Sequence, residues 1–330
     1  MAFLFRLALL LMTFTIIACN NNDEEDTLLQ RPPYNTYTDS IRQQPSNAAL
    51  YYKRGSLLFQ NNQTAYAELD LRRAWNLAKE ERFALGLAEI LNKKNPDSAL
   101  YFTEQASRQL PQSIALQINR AKLYQQKGDL SKALDMCNTI INRYPNQLDA
   151  LMLKADILKA QNNNDASIAV LEQAYGYAPF DVELSYQLAF AYAEAKNAKA
   201  LTLADSLIRM DTSATHAEPY YFKGLYYDNI GNSSKALDLY NEAIRHDYYF
   251  IDAYLSKGEL LYQQKKWAEA LKTFELAATV SPTYADAYYW IGKTQEAMGN
   301  KQEAKLNYQR AYGLDKSLTE AKQAAERLKE

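Results

Sequence analysis

The sequence predicts an all-α chain whose core grows by stacking helix pairs, and three observations carry that prediction. Small residues return at Ala121, Ala155, Ala189, Gly224, Gly258 and Gly292, at intervals of 34, 34, 35, 34 and 34. A second small-residue series runs through Ala67, Ala99, Ala133, Ser167, Ala200, Ala236, Ala270 and Ala304, and a third follows it seven residues later. Each period also holds two stretches at helical spacing. Tyr254, Lys257, Gly258 and Leu261 share one face; after a break at Gln264-Lys265-Lys266, Ala270, Leu271, Phe274, Ala277 and Ala278 share another. The composition agrees: 330 residues, 48% hydrophobic, with 10 Gly against 26 Tyr, suit a large core in which Tyr fills repeated packing positions. A period of this length marks a unit that buries its apolar face only against its neighbours.

Residues 1–18 read as a signal peptide. Arg6 precedes an apolar run from Leu7 to Ala18, which is shorter than the roughly 20 residues a membrane-spanning helix needs. Ile16-Ile17-Ala18-Cys19 resembles the bacterial lipobox, so Cys19 is expected to carry lipid and become the mature N-terminus. Stable attachment then follows from more than one acyl chain. Residues 19–47 read as a flexible acidic and proline-bearing tether: Asp23-Glu24-Glu25-Asp26 is followed by Pro32, Pro33 and Pro45. The acidic run resembles the surface-export signal of Bacteroidetes lipoproteins and is equally a solvated spacer. Asp26-Thr27-Leu28 and Asp39-Ser40-Ile41 also resemble that phylum's O-glycosylation tripeptide, a short pattern that arises readily by chance.

Residues 48–318 hold the repeats, about eight of them. Gly55 lies 66 residues before Ala121, two units less two residues. The stretch at about 82–113 shows a clear second helix and Pro111, but no clear first helix. Unit 182–213 is one residue short at its inner turn, and residues 212–218 read as a small insertion. Residues 319–330, charged on one side, suit a C-terminal capping helix of the kind solenoids need for solubility.

The clearest unit, Tyr220, Gly224, Tyr227, Ala236, Tyr240 and Ala243, together with the phase of Pro111, Pro145, Pro179 and Pro282, resembles the tetratricopeptide repeat (TPR) family. That resemblance spans about 270 residues. It implies a right-handed superhelical solenoid whose concave groove is lined by one stripe of each first helix. Carried onto this chain, the stripe includes Tyr52, Ser56 and Phe59; Ile118 and Lys122; Met152 and Asp156; Tyr186 and Phe190. It continues through Tyr221, Leu225 and Asp228; Leu255, Glu259 and Tyr262; then Tyr289, Lys293 and Glu296. Aromatic and polar residues alternating in a trough suit a peptide or protein ligand, with the aromatics as anchors. The opposite reading, that a given Tyr only packs neighbouring helices, stays open. The family's basic carboxylate clamp is not recognisable, because Tyr52, Ser56, Asn119 and Lys122 do not supply its Lys/Asn set.

Other chemistry is thin. With two Cys, two His and a net charge of −2, the chain offers neither a zinc cluster nor a disulfide framework nor a basic nucleic-acid face. Cys137 sits among Leu134, Met136, Ile140 and Ile141 and reads as core. Only Gly86 is left without a place in the repeat, and no phosphate-binding glycine loop or nucleophile elbow is present. The function expected is a non-catalytic scaffold without metal or cofactor, lipid-anchored in the bacterial cell envelope. Its expected site is the outer membrane, on the periplasmic or the surface-exposed face. The alternative is an accessory lipoprotein of envelope or glycan assembly and secretion machinery.

Overall fold

The computed structural model describes residues 28–211 and 215–328, and among these residues there are eighteen helices and no strand. The chain forms two compact units that meet in sequence between Asp129 and Leu130. Unit 1 contains α1 (Asn35–Gln43), α2 (Ala48–Gln60), α3 (Thr64–Leu77), α4 (Glu81–Lys94), α5 (Pro96–Gln109) and α6 (Ile114–Gln126). Unit 2 contains α7 (Leu130–Arg143), α8 (Leu148–Ala160), α9 (Asn164–Tyr177), α10 (Val182–Glu194), α11 (Lys199–Met210) and α12 (Glu218–Asn229). It goes on through α13 (Ser233–His246), α14 (Ile251–Gln263), α15 (Trp267–Val280), α16 (Ala285–Ala297), α17 (Lys301–Leu314) and α18 (Thr319–Arg327).

Local chemistry sets the helix ends. The Leu116 and Leu184 N–H groups donate to Ser113 Oγ and Asp181 Oδ1 at 3.0 and 2.8 Å, capping α6 and α10. The turns inside pairs need one residue in the left-handed region. Gly128, Gly231 and Gly299 supply it freely (φ 79°, 81° and 89°), while Asn62, Asn162, Lys196 and Lys265 adopt it with a side chain (φ 56° to 61°). The turn between α4 and α5 departs from this rule. Asn95 is its one linking residue, extended at φ −161°, and serves as C-cap of α4 and N-cap of α5 at once. That shortening accounts for the two residues missing from the period between Gly55 and Ala121, and the weak repeat has a complete first helix.

Packing explains the small residues. A Cβ added to Gly224, Gly258 or Gly292 would lie 2.7, 2.4 or 2.9 Å from the ring of Tyr240, Phe274 or Tyr308. Each aromatic of a second helix therefore seats in a notch on its own first helix. Ala67, Ala99, Ala133, Ala200, Ala236, Ala270 and Ala304 are all fully buried. Ser167, the odd member of that series, spends its hydroxyl on the Ala155 carbonyl at 2.8 Å.

The tether expected over 19–47 is corrected where the structure describes it. Tyr34, Thr38 and Ile41 lie one helical turn apart and are buried against unit 1. Thr38 Oγ1 donates to the Leu29 carbonyl at 2.6 Å and accepts from Arg54 Nη1 at 3.0 Å. Arg54 in turn forms a buried two-pronged ion pair with Asp70, Nε to Oδ2 at 2.7 Å and Nη2 to Oδ1 at 2.8 Å. Pro content and hydrophilicity mask this three-residue stripe. The signal peptide, Cys19 and the acidic run lie outside the described residues, as do residues 212–214 of the expected insertion. Among the described residues, no helix is long and apolar enough to cross a membrane.

Candidate functional site

In unit 1 the open face is built by α2 and α4. Tyr52, Ser56 and Phe59 line a cavity of about 500 Å³ together with Gly86, Glu89 and Lys93. Gly86, which had no place in the repeat, lets α4 approach the Tyr52 ring: a Cβ there would sit 3.2 Å from Tyr52 Cε2. Tyr52 also leans on Phe83, with ring centroids 5.2 Å apart. Cations overhang the aromatics, Lys93 Nζ 5.0 Å from the Phe59 centroid and Arg82 Cζ 5.9 Å from that of Tyr52. Lys122 is exposed on α6, whereas Ile118 is buried and so removed from the predicted face. Arg82, Gly86, Glu89 and Lys93 were not anticipated, although their spacing places them on one side of α4.

In unit 2 the first helices α8, α10, α12, α14 and α16 carry the rest. Tyr186, Phe190 and Tyr221 converge on Phe222, at centroid distances of 6.0, 5.9 and 6.1 Å. Leu225 packs against the same core, so the predicted cluster does come together. Its members are half-buried, and Tyr221 also contacts Tyr240 and Phe250 at 5.8 and 5.3 Å. They serve both as helix packing and as the floor of the face. Met152 on α8 packs against this same core, and Asp156 lies one turn further along that helix. Lys159 bridges towards this floor, 4.4 Å from the Phe190 centroid and 2.6 Å from Glu194 Oε2.

At the C-terminal end, Tyr262, Tyr289, Lys293 and Glu296 line an open cavity of about 650 Å³ that α18 closes on one side with Glu320 and Arg327. The Lys293 ammonium stands 4.2 Å from the Trp290 centroid, 5.6 Å from Tyr262 and 5.8 Å from Tyr289. Trp290 was not foreseen; it stacks on Phe274 at 5.5 Å, which fixes the cage wall to the core. Glu296 accepts from Tyr308 Oη at 2.8 Å and from Arg327 Nη2 at 2.6 and 2.8 Å.

Burial sets the ionisation of this face. It pushes the carboxyls of Asp228 and Glu259 up from the ordinary range; the Tyr240 phenol, donating to Asp228 at 3.2 Å, and Lys293, near Glu259, oppose the shift. Tyr186 is pushed up to about 12 by burial and then by Glu218, Asp211 and Glu183, so it remains a neutral phenol. Leu255 packs against the core that holds Leu261 and Tyr288. Burial also raises the Cys137 thiol to about 11, which leaves a neutral thiol in the core at physiological pH. His216 meets Asp211 at 3.0 Å, and His246 stacks on Tyr220 with centroids 4.2 Å apart. Among the described residues no group of three or more His, Cys, Asp or Glu is placed to hold a metal ion.

Paired helices with small-residue notches and an open first-helix face define a helical-repeat protein. A TPR repeat model matches residues 258–299, one Tetratricopeptide repeat model matches 91–157, and another matches 148–181, 217–247 and 285–318. Together these matches reach across more than half of the sequence, and the chain belongs to the tetratricopeptide repeat family. A tetratricopeptide repeat protein from Parabacteroides merdae is similar in structure, with a TM-score of 0.60 at 18% identity over 73% of this chain and 95% of that one. The APC/C hetero-tetramer Cut9-Hcn1 is similar with a TM-score of 0.53 at 13% identity, over 93% of this chain and 60% of that one. Likeness at such identities shows the fold alone. In sequence, the DnaJ homolog subfamily C member 7 homolog of Schizosaccharomyces pombe is 24% identical over 68% of this chain, and the mouse Tetratricopeptide repeat protein 14 is 27% identical over 37%. The chain spans 51% of the first relative's length and 17% of the second's.

Proposed function

We propose that this protein is a non-catalytic scaffold that offers the first-helix face of its repeats to a protein or peptide ligand, held in the bacterial cell envelope by lipid on Cys19. The observation that carries the interaction reading is the run of half-buried aromatics Tyr186, Phe190, Tyr221, Tyr262 and Tyr289. They recur along successive first helices and are interleaved with polar groups, as peptide anchors are. The anchor reading rests on Arg6, the apolar run to Ala18 and the lipobox-like Ile16-Ile17-Ala18-Cys19. An outer-membrane location, on either the periplasmic or the surface-exposed face, goes with it.

Two experiments test the two halves. Random peptides are selected on the immobilised full chain, and the winners are measured against Tyr289→Ala, Tyr262→Ala and wild type. The scaffold reading expects winners that lose about tenfold or more on these variants, the cost of removing a hot-spot aromatic. Winners indifferent to both variants overturn it. Separately, Cys19→Ala expressed in a Gram-negative host is expected in the soluble fraction; a variant that sediments with membranes like wild type removes the anchor.

A further inference from the structure

The cavity of about 650 Å³ beside the capping helix falls within the roughly 300–1,000 Å³ of ordinary ligand pockets. Its donors and acceptors are out of balance. Lys293 lines it from α16, with the ammonium held 4.2 Å from the Trp290 centroid, and no described residue accepts a hydrogen bond from that ammonium. Glu259 acts on Lys293 electrostatically without coming within ion-pair distance. Tyr262 and Tyr289 line the same space, and neither hydroxyl has a hydrogen-bond partner among the described residues. Burial raises the Tyr289 phenol above its ordinary value, so it keeps its proton. The acceptors, by contrast, are spent or peripheral. Glu296 accepts from Tyr308 Oη at 2.8 Å and from Arg327 Nη2 at 2.6 and 2.8 Å, and Glu320 stands exposed on α18. Three half-buried side chains with unspent donors therefore share one cavity.

We propose that this cavity binds an aspartate or glutamate side chain of an extended segment of another protein, its carboxylate taking the Lys293 ammonium and the Tyr262 and Tyr289 hydroxyls. The inference rests on the scaffold reading above and names the chemistry of its ligand. The donors select the occupant. An apolar side chain would strip water from an ammonium and two phenols and return no acceptor. A lysine or arginine would meet Lys293, which already fills the ring cage, and Arg327 beside it. A carboxylate offers about four lone-pair sites and forms charge-assisted bonds, so it can serve all three donors. One ammonium and two phenols beside a capping helix are also a different donor set from the Lys/Asn clamp that this chain lacks.

The probe is a rhodamine-labelled peptide of Ala-Glu-Ser repeats with both termini blocked, followed by anisotropy on the full chain, beside its Ala-Gln-Ser counterpart. The Glu peptide is expected to bind, more weakly as salt rises, and the Gln peptide to bind about tenfold or more weakly than it. Lys293→Met should abolish that preference, so that the two peptides bind alike. Tyr262→Phe with Tyr289→Phe, which keeps both rings, should weaken the Glu peptide by roughly fivefold, the worth of the lost hydroxyl bonds. Lys301→Met, at an exposed position on the second helix α17, should change nothing. Circular dichroism confirms that each variant folds. Equal binding of the two peptides to wild type, equal loss in Lys293→Met and Lys301→Met, or no binding of the Glu peptide up to ~1 mM overturns the inference. A Gln peptide that matches the Glu peptide once its C-terminus is left free would assign the cavity to a chain end and overturn the side-chain assignment. Library winners that depend on Tyr262 and Tyr289 yet keep their affinity when every Asp and Glu is changed to its amide would overturn the carboxylate while leaving the scaffold intact. Winners that ignore both tyrosines would remove the scaffold reading itself.

Discussion

Unit 1 locks its first helix pair with charge: Arg54, Asp70 and Thr38 form a buried network that also fastens α1. Unit 2 locks its last three pairs with shape, each seating an aromatic ring in a glycine notch. The open faces differ as well. In unit 1 Arg82 and Lys93 overhang Tyr52 and Phe59, whereas in unit 2 the half-buried carboxylates Asp228 and Glu259 share the face with the cation Lys293, which stands over Tyr262. The repeat therefore dictates where helices lie and which side stays open. It leaves the means of closure, and the charge of the face, to the individual side chains.

The contrast breaks most sharply at Arg54. Arg54→Ala leaves Asp70 buried without its cation and is expected to cost about 3–5 kcal/mol. Hydrogen exchange should show the loss in α1, α2 and α3. Exchange unchanged in those helices would mean that the ion pair does not hold unit 1. In unit 2, Gly258→Ala pushes a methyl into the Phe274 ring, and overpacking of this kind costs roughly 1–3 kcal/mol. Denaturant unfolding of Gly258→Ala beside Gly176→Ala, where nothing outside the helix's own local backbone lies within 4 Å of the added Cβ, separates steric cost from any general glycine effect. Equal effects would refute the notch. A smaller change of opposite sign is expected at Lys265, held at φ 60°. Lys265→Gly relieves a left-handed side chain and should stabilise by about 0.5–1 kcal/mol, less than the full strain because glycine also loosens the unfolded chain; a lower melting temperature would contradict it.

How much of this was legible follows from what each residue must do. The small residues are fixed by steric approach, so their period exposed the pairs, the eight-fold repetition and the second helices. The first helix α4 was hidden because a one-residue turn at Asn95 breaks the phase. Helix α1 was hidden because three spaced residues, Tyr34, Thr38 and Ile41, carry its burial inside a polar, proline-bearing stretch. At the face, periodicity found the stripe but not its depth. Ile118 is sealed below it, Tyr221 is half floor and half wall, and Trp290 enters from a position next to the stripe rather than on it.

The smallest effect concerns pH. Burial raises the folded-state pKa of Asp228 and Glu259, so the folded chain binds those protons more tightly than the unfolded chain does. Their ionic penalty therefore fades as pH falls from neutral through the raised values, and the gain is complete below the unfolded values near about 4. Between pH 7 and pH 5 wild type should gain stability relative to Asp228→Asn with Glu259→Gln. Urea midpoints that differ by the same amount at both pH values would show that the pair is not desolvated.

Which helices meet a ligand decides whether the open first-helix face is the working surface. Hydrogen–deuterium exchange of the full chain, with and without a library-selected peptide, is predicted to show new protection in the first helices α10, α12, α14 and α16. The second helices α9, α11, α13, α15 and α17 should exchange as before. Protection confined to the second helices would contradict the claim that the open first-helix face is where this protein works.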